Sequence, residues 1–318
     1  MWTTIEQIFP YAIKFTIPLL IVALGGLFSE RSGIVNIGLE GLMVIGSFAS
    51  AFTIYKLETA WPGHTLTSIY IGILVATAAG LVFSLLHAFA SIHLNANQVI
   101  SGTAINMIAG ALTVFLSRNI TGSGNIRMTN PLPPFDVWGL HKIPVLGPLI
   151  FTNTYWTTWV ILLIVLFSSL LLRKTAFGLR LRACGEYPQA AEAAGVNVRK
   201  MRYIGVLISG AFAGLGGAIH LVTIAGEFNG TVSGLGFLAL AALIFGQWRP
   251  IGILGATLFF GFASTIANVS QVIPALTEFP PILLKVFPYA ITLIALVVFS
   301  KTSQAPKAAG EVFDSGKR

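Results

Sequence analysis

Glu40 stands four residues after Asn36, inside a Gly-rich apolar stretch that runs from Gly33 to Gly46. On a helix, a spacing of four places the amide and the carboxylate on one face. Such a pair hydrogen-bonds a polar solute, or it is satisfied by a neighbouring helix and fixes packing; the sequence leaves both open. Asn106 lies a turn or two into a later apolar run that opens with Asn97 and Gln98, and Glu227-Phe228-Asn229-Gly230 follows another. A carboxylate, an amide and an aromatic ring can grip a polar solute or close a polar turn. Ionisable groups in apolar runs are functional candidates by default, because burying them is expensive. Asn36, Glu40, Asn106, Glu227, Phe228 and Asn229 are therefore the candidate solute-pathway residues.

Other chemistries lack their residues. There is no Gly-x4-Gly-Lys-Ser/Thr loop to cradle phosphates, no nucleophile elbow and no dinucleotide fingerprint. His87, His93 and His220 are scattered singly, without metal spacing, and Cys184 is the one cysteine. The sequence thus predicts no catalytic residue, metal site or cofactor in this chain, which is not expected to be an enzyme.

The elements that position the polar residues follow from composition. Of 318 residues, 55% are apolar and 9% charged, with a mean hydropathy of +0.83. Soluble globular chains carry about 25% charged residues, so a water-soluble enzyme of ordinary make-up is excluded, as is disorder. A bilayer core needs about 20 mostly apolar residues per helix. Nine spans are expected: 8–28, 35–55, 66–91, 98–117, 156–172, 203–223, 234–247, 251–269 and 282–300. The second, seventh and eighth are short or Gly-rich enough to be broken or re-entrant, so the total is eight to ten. The first lacks a basic leader and contains Lys14, unlike a cleaved signal peptide. The fold class is all-α, a polytopic transmembrane bundle forming one domain over 1–318. Placing the 173–202 loop in the cytoplasm puts thirteen of the nineteen Lys and Arg on that side, which sets the N-terminus outside and the 301–318 tail inside. The net charge of +8 then reflects topology and anionic lipid, not nucleic acid.

The inner loop 173–202 is the most charged stretch, with seven Lys or Arg against Glu186 and Glu192. Within it, Pro188 suits a first helical turn, Gln189 to Ala194 are strong helix formers, and Gly195 is a natural stop. A helix of about seven residues is near 10 Å long and is not stable alone in water. It must lie against something.

Here the chain resembles the permease subunits of ABC importers. Those carry a short cytoplasmic coupling helix with an EAA-like pattern and a following glycine. Glu186, Ala190, Ala191, Ala194 and Gly195 match that pattern, and with Pro188, Gln189 and Glu192 they form the ATPase-coupling segment that the resemblance implies. The stretch from Arg202 to Ala218 is similar to the helix that follows it in branched-chain amino acid, ribose and nucleoside permeases. The stretch Phe28-Ser29-Glu30-Arg31-Ser32-Gly33 through Met43 resembles the nucleoside-type members most. The resemblance implies an importer of small polar solutes, above all nucleosides, in the cytoplasmic membrane of a prokaryote. It implies a second permease of the same family, a cytoplasmic ATPase dimer holding ATP and Mg, and an extracytoplasmic substrate-binding lipoprotein. The rival readings are a carrier driven by ions bound at Glu40 and Glu227, and an ABC permease for a sugar or a branched-chain amino acid.

Overall fold

The computed structural model describes residues 2–269, Val286, Ala290 and 305–314. Apart from those two positions, the expected ninth span, 282–300, lies outside the described residues. The described chain runs α1 (Trp2–Arg31), α2 (Leu39–Ala60), α3 (Thr65–Ile92), α4 (Gln98–Thr121), α5 (Trp156–Lys174), α6 (Ala176–Glu186), α7 (Pro188–Ala193), α8 (Val198–His220), α9 (Leu235–Phe245) and α10 (Pro250–Val269). Two short strands, β1 (Ile126–Arg127) and β2 (Glu227–Phe228), pair antiparallel between the loops after α4 and α8. Among the described residues, six helices are long and apolar enough to cross a membrane: α1, α3, α4, α5, α8 with the π-turn Leu221–Ala225, and α10. The protein is a multi-pass membrane protein.

Two expected spans take a different form. The second does not start as a helix at 35: residues 32–33 and 37–38 are turns, 34–36 belong to no regular element, and α2 begins at Leu39. This stretch climbs past α8, where Ser32 meets Gly205, Gly33 meets Arg202 and Asn36 meets Ser209. The seventh span is α9, with 11 residues. At 1.5 Å per residue it is about 16 Å long, half of a hydrocarbon core of about 30 Å.

The bundle is built around α8, which lies against α1, α2 and α3. Its glycine stripe makes this possible. A methyl group on Gly217 would overlap the Met43 carbonyl of α2, and one on Gly214 would overlap the Ala76 carbonyl of α3. Close backbone approach through small residues is how helices gain contact without a hydrophobic driving force between them. In α1, Leu19 to Leu24 are all buried. The outward faces of α3, α4 and α5 instead show Leu74, Val82, Phe115, Leu163 and Phe167, the apolar surface that lipid tails solvate.

This packing predicts the behaviour of two glycines. Gly217→Val should force α2 from α8 and cost about 1–3 kcal/mol or more, read as a lowered melting temperature in detergent. Gly110, on α4, has no atom near its would-be Cβ; Gly110→Ala should leave that temperature unchanged or raise it. Equal melting of both variants would contradict the helix contact.

Candidate functional site

Asn36, Glu40 and Asn106 are each bonded to backbone at a helix break or a helix start. Asn36 is fully buried; its Oδ1 accepts from the Gly38 N–H at 3.1 Å and its Nδ2 donates to Ser209 Oγ at 3.0 Å. Asn106 accepts from the Gly41 N–H at 2.7 Å and donates to the Ile37 carbonyl at 3.1 Å. Gln98 accepts from the Val35 N–H at 2.7 Å, and His87 bridges the Val35 carbonyl and Ser101 Oγ. Side chains thus pair the Val35 N–H and C=O, the Ile37 C=O and the Gly38 N–H, while backbone of α1 pairs the Ser32, Gly33 and Ile34 N–H groups, as buried backbone demands. Glu40 does the same for α9: its two oxygens accept from the Gly234 N–H at 2.9 Å and the Gly236 N–H at 2.7 Å. An anion at a helix N-terminus meets unpaired N–H groups and a favourable dipole. The expectation that Asn36 and Glu40 share a helix face is corrected, since Asn36 precedes the helix. The structure nevertheless gathers Asn36, Glu40 and Asn106 in one layer.

The outer candidates form a second group. Glu227 pairs with Arg127 at 2.9 Å across the β1–β2 strands. Phe228 is buried, its ring edge-on to Phe48 at 5.5 Å. Asn229 is exposed and accepts from the Thr231 N–H. The two groups are joined along α2, which carries Glu40 near one end and Phe48 two turns on.

The charged loop 173–202 holds two helices, α6 and α7. Thr175 caps α6, its hydroxyl oxygen accepting from the Gly178 N–H at 3.2 Å. Pro188 opens α7, and Gly195 ends the turn at φ +82°, a left-handed conformation that favours glycine. Pro188 and Ala191 point inward, while Gln189, Ala190, Glu192, Ala194 and Gly195 face out. Glu186 reaches back to Arg31 at 3.5 Å. The tail 305–314 straps this corner down. Ala308 donates to the Gly185 carbonyl at 2.8 Å and Gly310 to the Gly33 carbonyl at 3.1 Å. The buried Arg202 donates to the Glu311 carbonyl at 3.0 Å, with its guanidinium over the Phe313 ring at 5.6 Å. Lys307 donates to the Tyr187 hydroxyl at 2.8 Å, a bond that raises its pKa. A groove of about 370 Å³ opens beside α7, lined by Glu192, Gly195, Val196, Asn197, Val198, Arg199 and Phe313.

The profile described as "Branched-chain amino acid transport system / permease component" matches residues 9–296. The chain belongs to this permease family. The permease is similar to the guanosine ABC transporter permease protein NupQ of Bacillus subtilis, with 45% identity over 317 residues, 98% of this chain and 97% of the relative. It is similar also to the nucleoside ABC transporter permease protein NupC of Lactococcus lactis, with 41% identity over 308 residues, 96% of each chain. Its fold is like that of an inward-facing structure described as a metal-chelate type ABC transporter, with a TM-score of 0.51 and 17% identity, covering 92% of this chain and 85% of the other.

Sequence reasoning passed over Gln98, His87 and Ser209 as partners of the 32–38 segment. Their one signal was that each is a polar residue inside an apolar run. It also passed over α6 and the docking of the tail. Cys184, on α6, is fully buried, and that burial pushes its thiol up to about 11 although Arg202 draws it down. The permease should therefore take up maleimide at Cys184 only after denaturation when assayed at pH 7.5. Labelling of the folded protein at the rate of a free thiol would contradict the packing of α6.

Proposed function

We propose that this permease is the membrane subunit of an ATP-driven importer for nucleosides, with α7 as the surface its ATPase pushes. The carrying observation is the outward face of Gln189, Ala190, Glu192, Ala194 and Gly195, fixed on a helix too short to stand alone and backed by α6 and the tail. The names of NupQ and NupC, which resemble this chain over nearly its full length, support nucleosides as the solute.

In this reading the chain sits in the cytoplasmic membrane of a prokaryote, N-terminus outside. It pairs with a second permease of its family. Two ATPase subunits carrying ATP and Mg dock below, and a substrate-binding lipoprotein delivers solute from outside. ATP can drive transport only by favouring one state of the assembly over another, so motion of the ATPases has to reach the layer of Asn36, Glu40 and Asn106. An ion-driven carrier would need Glu40 and Glu227 for its ions. Glu40 already accepts two backbone N–H groups and Glu227 already faces Arg127, which weighs for the ATP-driven reading.

Membrane vesicles holding the chain with its ATPase and binding protein should accumulate labelled guanosine when given ATP, and an uncoupler at fixed ATP should not matter. Gly195→Val forces a β-branched residue into the left-handed region and should lower uptake on the order of tenfold, with the protein still in the membrane. Glu186→Lys, which turns an ion pair into a repulsion with Arg31, should do the same. Collapse of uptake on adding the uncoupler, or accumulation of glucose or leucine in place of guanosine, would overturn the proposal.

A further inference from the structure

We infer that the half-helix α9 is a connecting rod, carrying displacement of the α6–α7 segment to Glu40 in the first turn of α2, beside the helix break, with Trp248 and Glu30 pinning its cytoplasmic end. This rests on the proposal that α6–α7 receives motion from an ATPase.

Both ends of α9 are fastened by side chains of other elements. At the upper end its first turn sits on Glu40, which binds the Gly234 and Gly236 N–H groups. Gly236 touches the Glu40 backbone so closely that any side chain there would overlap it. At the lower end, Gln247 and Trp248 form the turn into α10, and both take left-handed φ values, +52° and +51°. A non-glycine residue pays about 1–2 kcal/mol for that conformation and keeps it only where its surroundings over-determine it. Here they do. The Trp248 indole N–H donates to Glu30 Oε2 at 2.5 Å in a buried contact. The Trp248 carbonyl accepts from Arg31 Nη2 at 2.9 Å and from Arg31 Nε at 3.3 Å.

The same Arg31 guanidinium faces Glu186 through Nη1 at 3.5 Å. One side chain thus touches the end of α6 and the turn beneath α9. A displacement at Glu186 meets Arg31, then the Trp248 turn, then a helix about 16 Å long. Its far end rests on Glu40, in the layer where the backbone is broken. A helix resists compression along its axis because its backbone hydrogen bonds run that way. The rod therefore delivers the push without a continuous span.

The test is the ratio of solute carried to ATP hydrolysed, measured on the assembled complex in proteoliposomes. Trp248→Phe keeps the ring and deletes the N–H donor; Arg31→Gln removes the contact to Glu186; Glu30→Gln keeps an acceptor for the indole. We expect Trp248→Phe and Arg31→Gln to lower the ratio about tenfold while ATP hydrolysis continues, and Glu30→Gln to stay close to wild type. A merely structural role would reduce transport and hydrolysis together with the amount of complex. An unchanged ratio in both variants would therefore overturn the rod. Should Trp248→Phe not reach the membrane, Arg31→Gln, which leaves the indole and its Glu30 bond intact, decides alone. A wild-type complex that holds no ATPase would instead defeat the importer proposal, and the rod with it.

Discussion

A bilayer offers no water to an unpaired peptide group, and that constraint organises the inner half of this protein. The chain leaves α1, runs without helix from Ser32 to Gly38, and only then enters α2. Non-helical backbone survives inside a membrane bundle only when buried in protein or lining a cavity. Polar side chains gathered there serve this need: Asn36, Gln98, His87 and Asn106 bond backbone of the 35–41 stretch, and Glu40 pairs the first turn of α9. The arrangement resembles the broken helices from which membrane transporters build their midplane sites. A polar layer held by exchangeable side-chain bonds can be rearranged at far lower cost than an unbroken helix.

The second centre of organisation is the corner around Arg31 and Gly33. The end of α1, the junction of α6 with α7, the α9–α10 turn, the base of α8 and the tail all meet there. Gly33 at φ +99° lets the chain turn beneath Arg202, whose terminal nitrogen leaves no room for a side chain. Arg202 is buried and cationic, and the Glu311 carbonyl and the Phe313 ring come from the tail. Residues nearly three hundred positions apart thus make one surface, and α7 rides on it.

Much of the bundle was legible from apolar runs alone, because a membrane helix leaves its length in the sequence. What was not legible has physical reasons. The glycines of 35–55 did signal a broken span, but Val35 and Ile37 are as apolar as a helix, so the point at which the helix begins, Leu39, was not legible. The shortness and glycines of 234–247 did signal an incomplete helix. In α6, Leu179-Arg180-Leu181-Arg182 alternates, and alternation hides a helical period. The residue types of the candidate layer could be named in advance, but their roles could not. A carboxylate that caps a helix and one that binds a solute are the same letter, and the partners of Glu40 lie about two hundred positions away. The docking of the tail depends on backbone groups of Gly33 and Gly185, which no side-chain pattern announces.

The account stands on α7 being the face that an ATPase engages. The most direct measurement is cysteine cross-linking in the assembled complex, with one cysteine introduced at Ala190 on the outward face of α7 and a control at Trp138 in the loop between α4 and α5. The account predicts that Ala190→Cys captures the ATPase, at a rate that changes when ATP is added, and that Trp138→Cys never does. Failure of Ala190→Cys to capture the ATPase in a complex that still transports would contradict it.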